Sequence, residues 1–175
     1  GAILVYVFHE FIPGERMNKS IIATCAALSL AACANETPES TDINNAKETV
    51  ETVYNGFSTG DIPLAISTMA EDVEWHEAEG NPYADKNPYI GADAIITGLF
   101  ARLGGEWDNF TAVPSEFVVD DDRVVVFGRY TGTYLNTSKT LDAPFAHSWT
   151  VKDGKIVSFQ QYTDTAEHVE VMTAE

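Results

Sequence analysis

Apolar positions recur at helical spacing through the first part of the domain and then alternate. Ile43, Ala46, Val50, Val53, Tyr54 and Phe57 fall at three- and four-residue steps, the stripe of an amphipathic helix. Asp42 stands where a cap would, and Gly60 where the helix would end. Asp61 and Pro63 open a second helix whose inner side is Leu64, Ala65, Ile66 and Met69. Asp72 to Glu77 reads as a short strand, with Val73, Trp75 and Glu77 on one side and His76 on the other. Gly80, Pro82, Asp85 and Pro88 mark Ala78 to Pro88 as a loop. A third helix opens at Gly91-Ala92-Asp93, buries Ala94, Ile95, Leu99, Phe100 and Leu103, and is expected to stop at Gly104-Gly105.

From Asn109 the period is two. Asn109 to Val119 is a strand, Asp120-Asp121-Asp122 a turn, and Arg123 to Tyr134 a long strand in which Gly128 and Gly132 permit a bend or bulge. Beyond the polar loop Asn136–Thr140, Leu141 to Asp164 reads as a hairpin. Phe145, His147, Trp149 and Val151 share a face of its first strand; Val157, Phe159, Gln161 and Thr163 share a face of its second. Asp153-Gly154 supplies the positive φ angles of the turn. Asp164 and Glu167 form a capping box for a terminal helix. Helices first and a meander second predict an α+β fold. Its curved antiparallel sheet would wrap over three N-terminal helices as a cone-like half barrel with an internal pocket. A histidine and a glutamine inside apolar rows require a partner or a ligand there.

Ahead of the domain the pattern differs. Met17-Asn18-Lys19-Ser20 is a short basic stretch, Ile21 to Leu30 is apolar, and Leu30-Ala31-Ala32-Cys33 closes the run, the layout of a secretory signal. This resembles the bacterial lipoprotein signal, whose box is an aliphatic residue, two small residues and a cysteine. The resemblance implies that residues 17–32 are removed and that Cys33 receives lipid; a plain cleaved signal or a buried helix are the alternatives. Residues 1–16 carry an apolar run too short to span a bilayer and read as upstream read-through. Residues 33–42 then read as lipidated cysteine and tether, and residues 43–175 as the domain. Ala34 stands where an aspartate would resemble the inner-membrane retention signal. The expected location is therefore the periplasmic side of a Gram-negative-type envelope, at the outer membrane.

The 175 residues carry a formal charge of −17. Removing residues 1–32 takes two of the 27 acids and two of the 10 bases, leaving 25 against 8. Such a surface repels phosphate backbones and argues against nucleic-acid binding. Both cysteines, Cys25 and Cys33, lie in the signal and its box, so no disulfide is expected in the domain. With no His-x-His pair, Gly-rich phosphate loop or nucleophile elbow, neither metal nor cofactor is expected.

The element order and four local stretches resemble the SnoaL-like, or ketosteroid-isomerase-like, superfamily, whose fold is shared with nuclear transport factor 2. These stretches are Tyr54 to Asp61, Ala70-Glu71-Asp72-Val73-Glu74-Trp75-His76, Tyr89-Ile90-Gly91 and Asp153-Gly154-Lys155-Ile156. The resemblance covers Ile43 to about Met172. The fold hosts isomerases, cyclases, hydrolases, dehydratases and binders. The base carboxylate of ketosteroid isomerases falls at Glu77. Their oxyanion-hole tyrosine falls at Val53, with Tyr54 one step off, and their oxyanion-hole acid at or beside His147. The acid–base aspartate of SnoaL-type cyclases falls near Gln161. Neither set is complete, so ketosteroid isomerisation is expected to be weak.

Glu77 reads as a base raised in pKa by an aromatic pocket, or as a solvated strand end. His147 reads as its acid–base partner, or as a core histidine bonded to a tyrosine or a carbonyl. The expected pocket lining is Tyr54, Trp75, His76, Tyr83, Tyr130, Phe145, Trp149, Phe159 and Gln161; His76 needs a bulge to face it. Three functions follow: proton transfer or water addition on a small apolar carbonyl-like compound, storage of an apolar ligand, or a module that pairs with a second copy. Cys33→Ser should abolish acylation of protein expressed from Met17. Wild type without lipid on Cys33 by mass spectrometry would refute the anchor.

Overall fold

The computed structural model describes residues 39–174, with side chains from residue 45. The signal stretch and Cys33 lie outside the described residues. The first helix, α1 (Glu39–Thr59), begins earlier than expected, so Asp42 lies within it rather than capping it. Its stripe is buried at Ala46, Val50, Val53 and Tyr54. Gly60, at φ 72°, ends it, and Asp61 caps α2 (Ile62–Ser67) by accepting from the Leu64 amide at 3.0 Å. The two helices meet at Gly56, where a Cβ would stand 2.5 Å from the Ala65 nitrogen.

The strands are β1 (Met69–His76), β2 (Tyr89–Ile90), β3 (Trp107–Asp120), β4 (Arg123–Tyr134), β5 (Thr140–Lys152) and β6 (Lys155–Thr163). They form one sheet in the order β2-β1-β6-β5-β4-β3. The meander β3 to β6 is antiparallel, as its alternation predicts. β1 joins β6 in parallel, so the sheet is mixed. A parallel neighbour needs a long crossover, and everything between β1 and β6 supplies it.

Between β2 and β3 the chain is helical without a break: α3 (Gly91–Ile95), a π-helical turn (Ile96–Phe100) and α4 (Ala101–Glu106). Gly104 and Gly105 do not stop this segment, which runs on to Glu106. A last helix, α5 (Thr165–Met172), is capped by Asp164. Asp153 and Gly154 both take positive φ in the β5–β6 turn.

Bulges bend the sheet. The two on the β3–β4 pair lie in β3, between Asp108 and Thr111 and between Pro114 and Glu116. The glycines of β4 are their partners rather than the bulged residues. A third bulge leaves Val157 unpaired between Ile156 and Ser158. Ile156 is therefore the buried residue there, and Val157 is not, contrary to strict alternation.

Gly128 pairs with Phe145 across β4 and β5. A Cβ at Gly128 would sit 2.3 Å from Phe145 Cζ and 2.4 Å from the Val113 carbonyl oxygen. The missing side chain lets Phe145 lie flat on the sheet, where it stacks on His147 with centroids 4.0 Å apart. Gly128→Ala should cost about 1–3 kcal/mol by overpacking, read by urea denaturation. Stability equal to wild type would show that Phe145 has room to yield.

Candidate functional site

The inner face of the sheet, α1, α2 and the helical segment around the π turn enclose a cavity of about 570 Å³. That is the size of a small-molecule site. Trp75, Tyr130, His147, Trp149 and Gln161 line its sheet side. Phe57, Ile62, Leu99, Phe100, Leu103 and Gly104 line its helical side, and Trp107, Phe110 and Ala112 come from β3.

Glu77 follows the last residue of β1 and continues the inward alternation of Val73 and Trp75, so it points into this apolar space. Its backbone is clamped by one side chain. Asn87 accepts from the Glu77 amide at 2.9 Å and donates to the Glu77 carbonyl at 2.7 Å. The residue is 4% exposed. Its carboxyl accepts from the Trp75 indole N–H at 2.7 Å and, at 3.5 Å, from Asn81. Burial pushes its pKa up to about 7, while polar contacts from Trp75 and Gln161 partly oppose the rise.

A chain of polar groups runs from the Glu77 side to α1. Gln161 Oε1 accepts from the Ala78 amide at 3.1 Å and from Asn81 Nδ2 at 2.8 Å. Gln161 Nε2 donates to the Tyr130 hydroxyl at 2.9 Å. Tyr130 meets His147 Nε2 at 2.5 Å, and His147 Nδ1 meets the Tyr54 hydroxyl at 2.7 Å. Trp149 Nε1 donates to Tyr54 at 3.3 Å. Burial holds His147 down near 3, so its ring is neutral around pH 7. It is no imidazolium beside Glu77, and both its nitrogens are already engaged. With both nitrogens on tyrosine hydroxyls, neither is left to meet a substrate directly, so this placement favours the bonded core histidine among the two readings.

Glu77, His147, Trp75, Tyr83, Tyr130, Trp149 and Gln161 come together around the cavity. Three other expected lining residues do not reach it. Tyr54, Phe145 and Phe159 are buried, but they stack behind His147 and Trp75. His76 is a correction of a different kind. Regular alternation turns it outward, where its Nε2 lies 3.8 Å from Glu74 Oε2 and a third of its side chain is exposed.

Asn81, Asn87, Trp107 and His168 were not legible as site residues. Asn81 reads as a turn residue beside Gly80 and Pro82, and in fact caps the 3₁₀ turn Pro82–Lys86 while reaching Gln161. Trp107 donates to the Tyr83 hydroxyl at 2.7 Å, which in turn donates to Glu106 at 2.7 Å. His168 of α5 lies edge-on to Tyr130, and burial lowers its pKa to about 4. Among the described residues, no group of three or more His, Cys, Asp or Glu side chains is placed to hold a metal.

A cone of sheet over helices, with an inward carboxyl just past the end of its first strand, defines the class, and comparison agrees. The model of the SnoaL-like domain matches residues 50–159, and the chain belongs to that family. It is similar to an NTF2-like protein from Burkholderia thailandensis E264, with 36% identity and TM-score 0.71, covering 74% of this chain and 98% of that one. It is similar also to TerC co-crystallized with polyporic acid, with 32% identity, TM-score 0.67 and coverage of 74% and 99%. Bal32a from a soil-derived mobile gene cassette shares 26% identity at TM-score 0.68, covering 75% and 99%. No curated protein matches the chain.

The raised Glu77 pKa links the site to stability. The folded group holds its proton up to about pH 7, whereas the unfolded group releases it near 4.5. Its contribution is therefore fully present below about 4.5 and is lost as pH rises through 7. The gap corresponds to about 3 kcal/mol. Glu77→Gln should thus gain on wild type by about 2–3 kcal/mol between pH 4 and pH 8 in paired urea titrations. A difference that stays flat with pH would mean that Glu77 is solvated.

Proposed function

We propose that the cavity takes a small, largely apolar carbonyl compound and that Glu77 moves a proton on it. The carrying observation is a buried carboxyl poised near neutral pH in an aromatic cavity. In its ionised form, Glu77 accepts the proton from the carbon beside the carbonyl. The bonding pair moves into an enolate; the protonated Glu77 then returns that proton to another carbon of the enolate, completing isomerisation, or first trades it for a solvent deuteron and returns the deuteron to the same carbon, completing exchange. A neighbour at 32% identity co-crystallized with polyporic acid supports a small-molecule occupant.

One observation favours a ligand carrier instead. His147, the other titratable group expected to work with Glu77, is held between two tyrosines. In this reading the polar chain orients a ligand that leaves unchanged. In either case the order of basic stretch, apolar run and Leu30-Ala31-Ala32-Cys33 supports anchoring by lipid on Cys33, facing the periplasm from the outer membrane. On the outer sheet face, Phe127 and Tyr162 flank Ala146 in one cross-strand row and are exposed. That row supports pairing with a second copy.

The test uses 2-tetralone, an enolisable bicyclic ketone, in D₂O. Wild type should speed deuterium uptake beside the carbonyl, with a rate that climbs through pH 7 as Glu77 ionises. Glu77→Gln should lose on the order of a hundredfold or more. Quenching of tryptophan fluorescence on binding, with no exchange above buffer, would leave the carrier reading standing.

A further inference from the structure

The polar chain behind the cavity has a direction. A backbone amide and an indole N–H only donate. At one end the Ala78 amide fixes Gln161 Oε1 as acceptor, so Gln161 must present its NH₂ to Tyr130. At the other end the Trp149 indole N–H occupies the Tyr54 oxygen as donor. Tyr54 is 5% exposed, does not line the cavity and, among the described residues, has no hydrogen-bond partners beyond Trp149 and His147. Its own proton therefore has one acceptor, His147 Nδ1. A buried hydroxyl proton left without a partner is the costly alternative.

That choice settles the ring. If Nδ1 accepts, the neutral imidazole carries its proton on Nε2, which donates to the Tyr130 oxygen. The Tyr130 oxygen then accepts twice, from His147 and from Gln161, and its own proton has no acceptor among the described residues. Tyr130 lines the cavity, together with both groups that donate to it. The reverse tautomer would strand the proton on Tyr54, away from any ligand.

We infer that Tyr130 is the hydrogen-bond donor the cavity presents to a carbonyl or enol oxygen of its occupant, with Trp149, Tyr54 and His147 as positioning residues that hold its proton in that direction. The substrate class rests on the proton-transfer reading above; the direction of the proton chain does not. Two donors on one hydroxyl oxygen polarise its O–H and make it a stronger donor. As charge develops on the enolate oxygen, such a donor is worth more than it is to the ketone. The residue lies on β4, whereas the first-helix tyrosine of the family falls at Val53, and Tyr54, one step off, serves behind Tyr130.

Nitrogen-15 NMR of histidine-labelled, ligand-free protein reads the tautomer directly. His147 should show a pyrrole-type Nε2 and a pyridine-type Nδ1. Trp149→Phe, which keeps an aromatic ring but removes the donor, should let the Nδ1–H form appear. A purely packing role for Trp149 would not move that signature. Binding of 2-naphthol, the aromatic analogue of the 2-tetralone enol, should weaken about tenfold or more in Tyr130→Phe, the loss of one good hydrogen bond to a buried oxygen. The exchange rate of the same variant should fall about a hundredfold in kcat with little change in KM. An Nδ1–H ring in wild type, or naphthol affinity unchanged in Tyr130→Phe, overturns the assignment. Naphthol loss without any exchange by wild type removes the proposed chemistry and leaves Tyr130 as the ligand's donor.

Discussion

The bond from the Trp75 indole to the Glu77 carboxyl is the constraint around which the rest is arranged. Trp75 lies near the end of β1 and Glu77 just beyond it, and the two side chains leave the chain on the same face, two residues apart. A carboxyl there loses its water and gains one strong donor and a weaker one, which is too little to keep it fully ionised near neutral pH. The surrounding protein holds it in this state. Asn87 fixes its backbone from both sides, and the aromatic cluster of Trp75, Trp149 and Phe159 excludes solvent.

The same cluster is core and site at once. Trp75 stacks on Phe159 with centroids 3.8 Å apart, and Phe159 meets Trp149 at 4.5 Å. His147 is stacked on Phe145 and hydrogen-bonded at both ring nitrogens. A buried polar network of this kind is stable only when its members are satisfied, and that requirement makes the network rigid. Its rigidity gives a chemical group in the cavity a defined direction instead of an average one.

Much of this was legible in the sequence, and the limits follow from its physics. Alternation placed Val73, Trp75 and Glu77 on one face and His76 on the other, because a strand has a period of two. The Asp153-Gly154 turn and the helix stripe on α1 are equally local. Pairing between β1 and β6 is not local, and no residue pattern in either strand specifies a parallel partner. One unpaired residue, Val157, reverses the face assignment on one side of it. Facing inward also proved different from lining the cavity. In a sheet curled this tightly, Phe145 and Phe159 form a layer behind the wall, and Tyr54 of α1 packs into the same layer. Asn81 and Asn87 carry no periodic signal, and the proton direction through His147 emerges only from distances between partners far apart in sequence.

The π-helical turn at Ile96–Phe100 carries a consequence for how such a pocket changes over evolutionary time. A π turn holds one residue more than an α turn, so it behaves as a single-residue insertion retained inside a helix. Losing that residue would restore α geometry and swing every downstream side chain by about 100° around the helix axis. Leu99, Phe100 and Leu103 stand on this segment, opposite Glu77 and Tyr130 across the cavity. One deletion would thus redraw the wall that selects an occupant while the polar groups on the sheet kept their places. The apolar wall that shapes the cavity and the polar groups that face it thus reside on separate elements, free to drift independently.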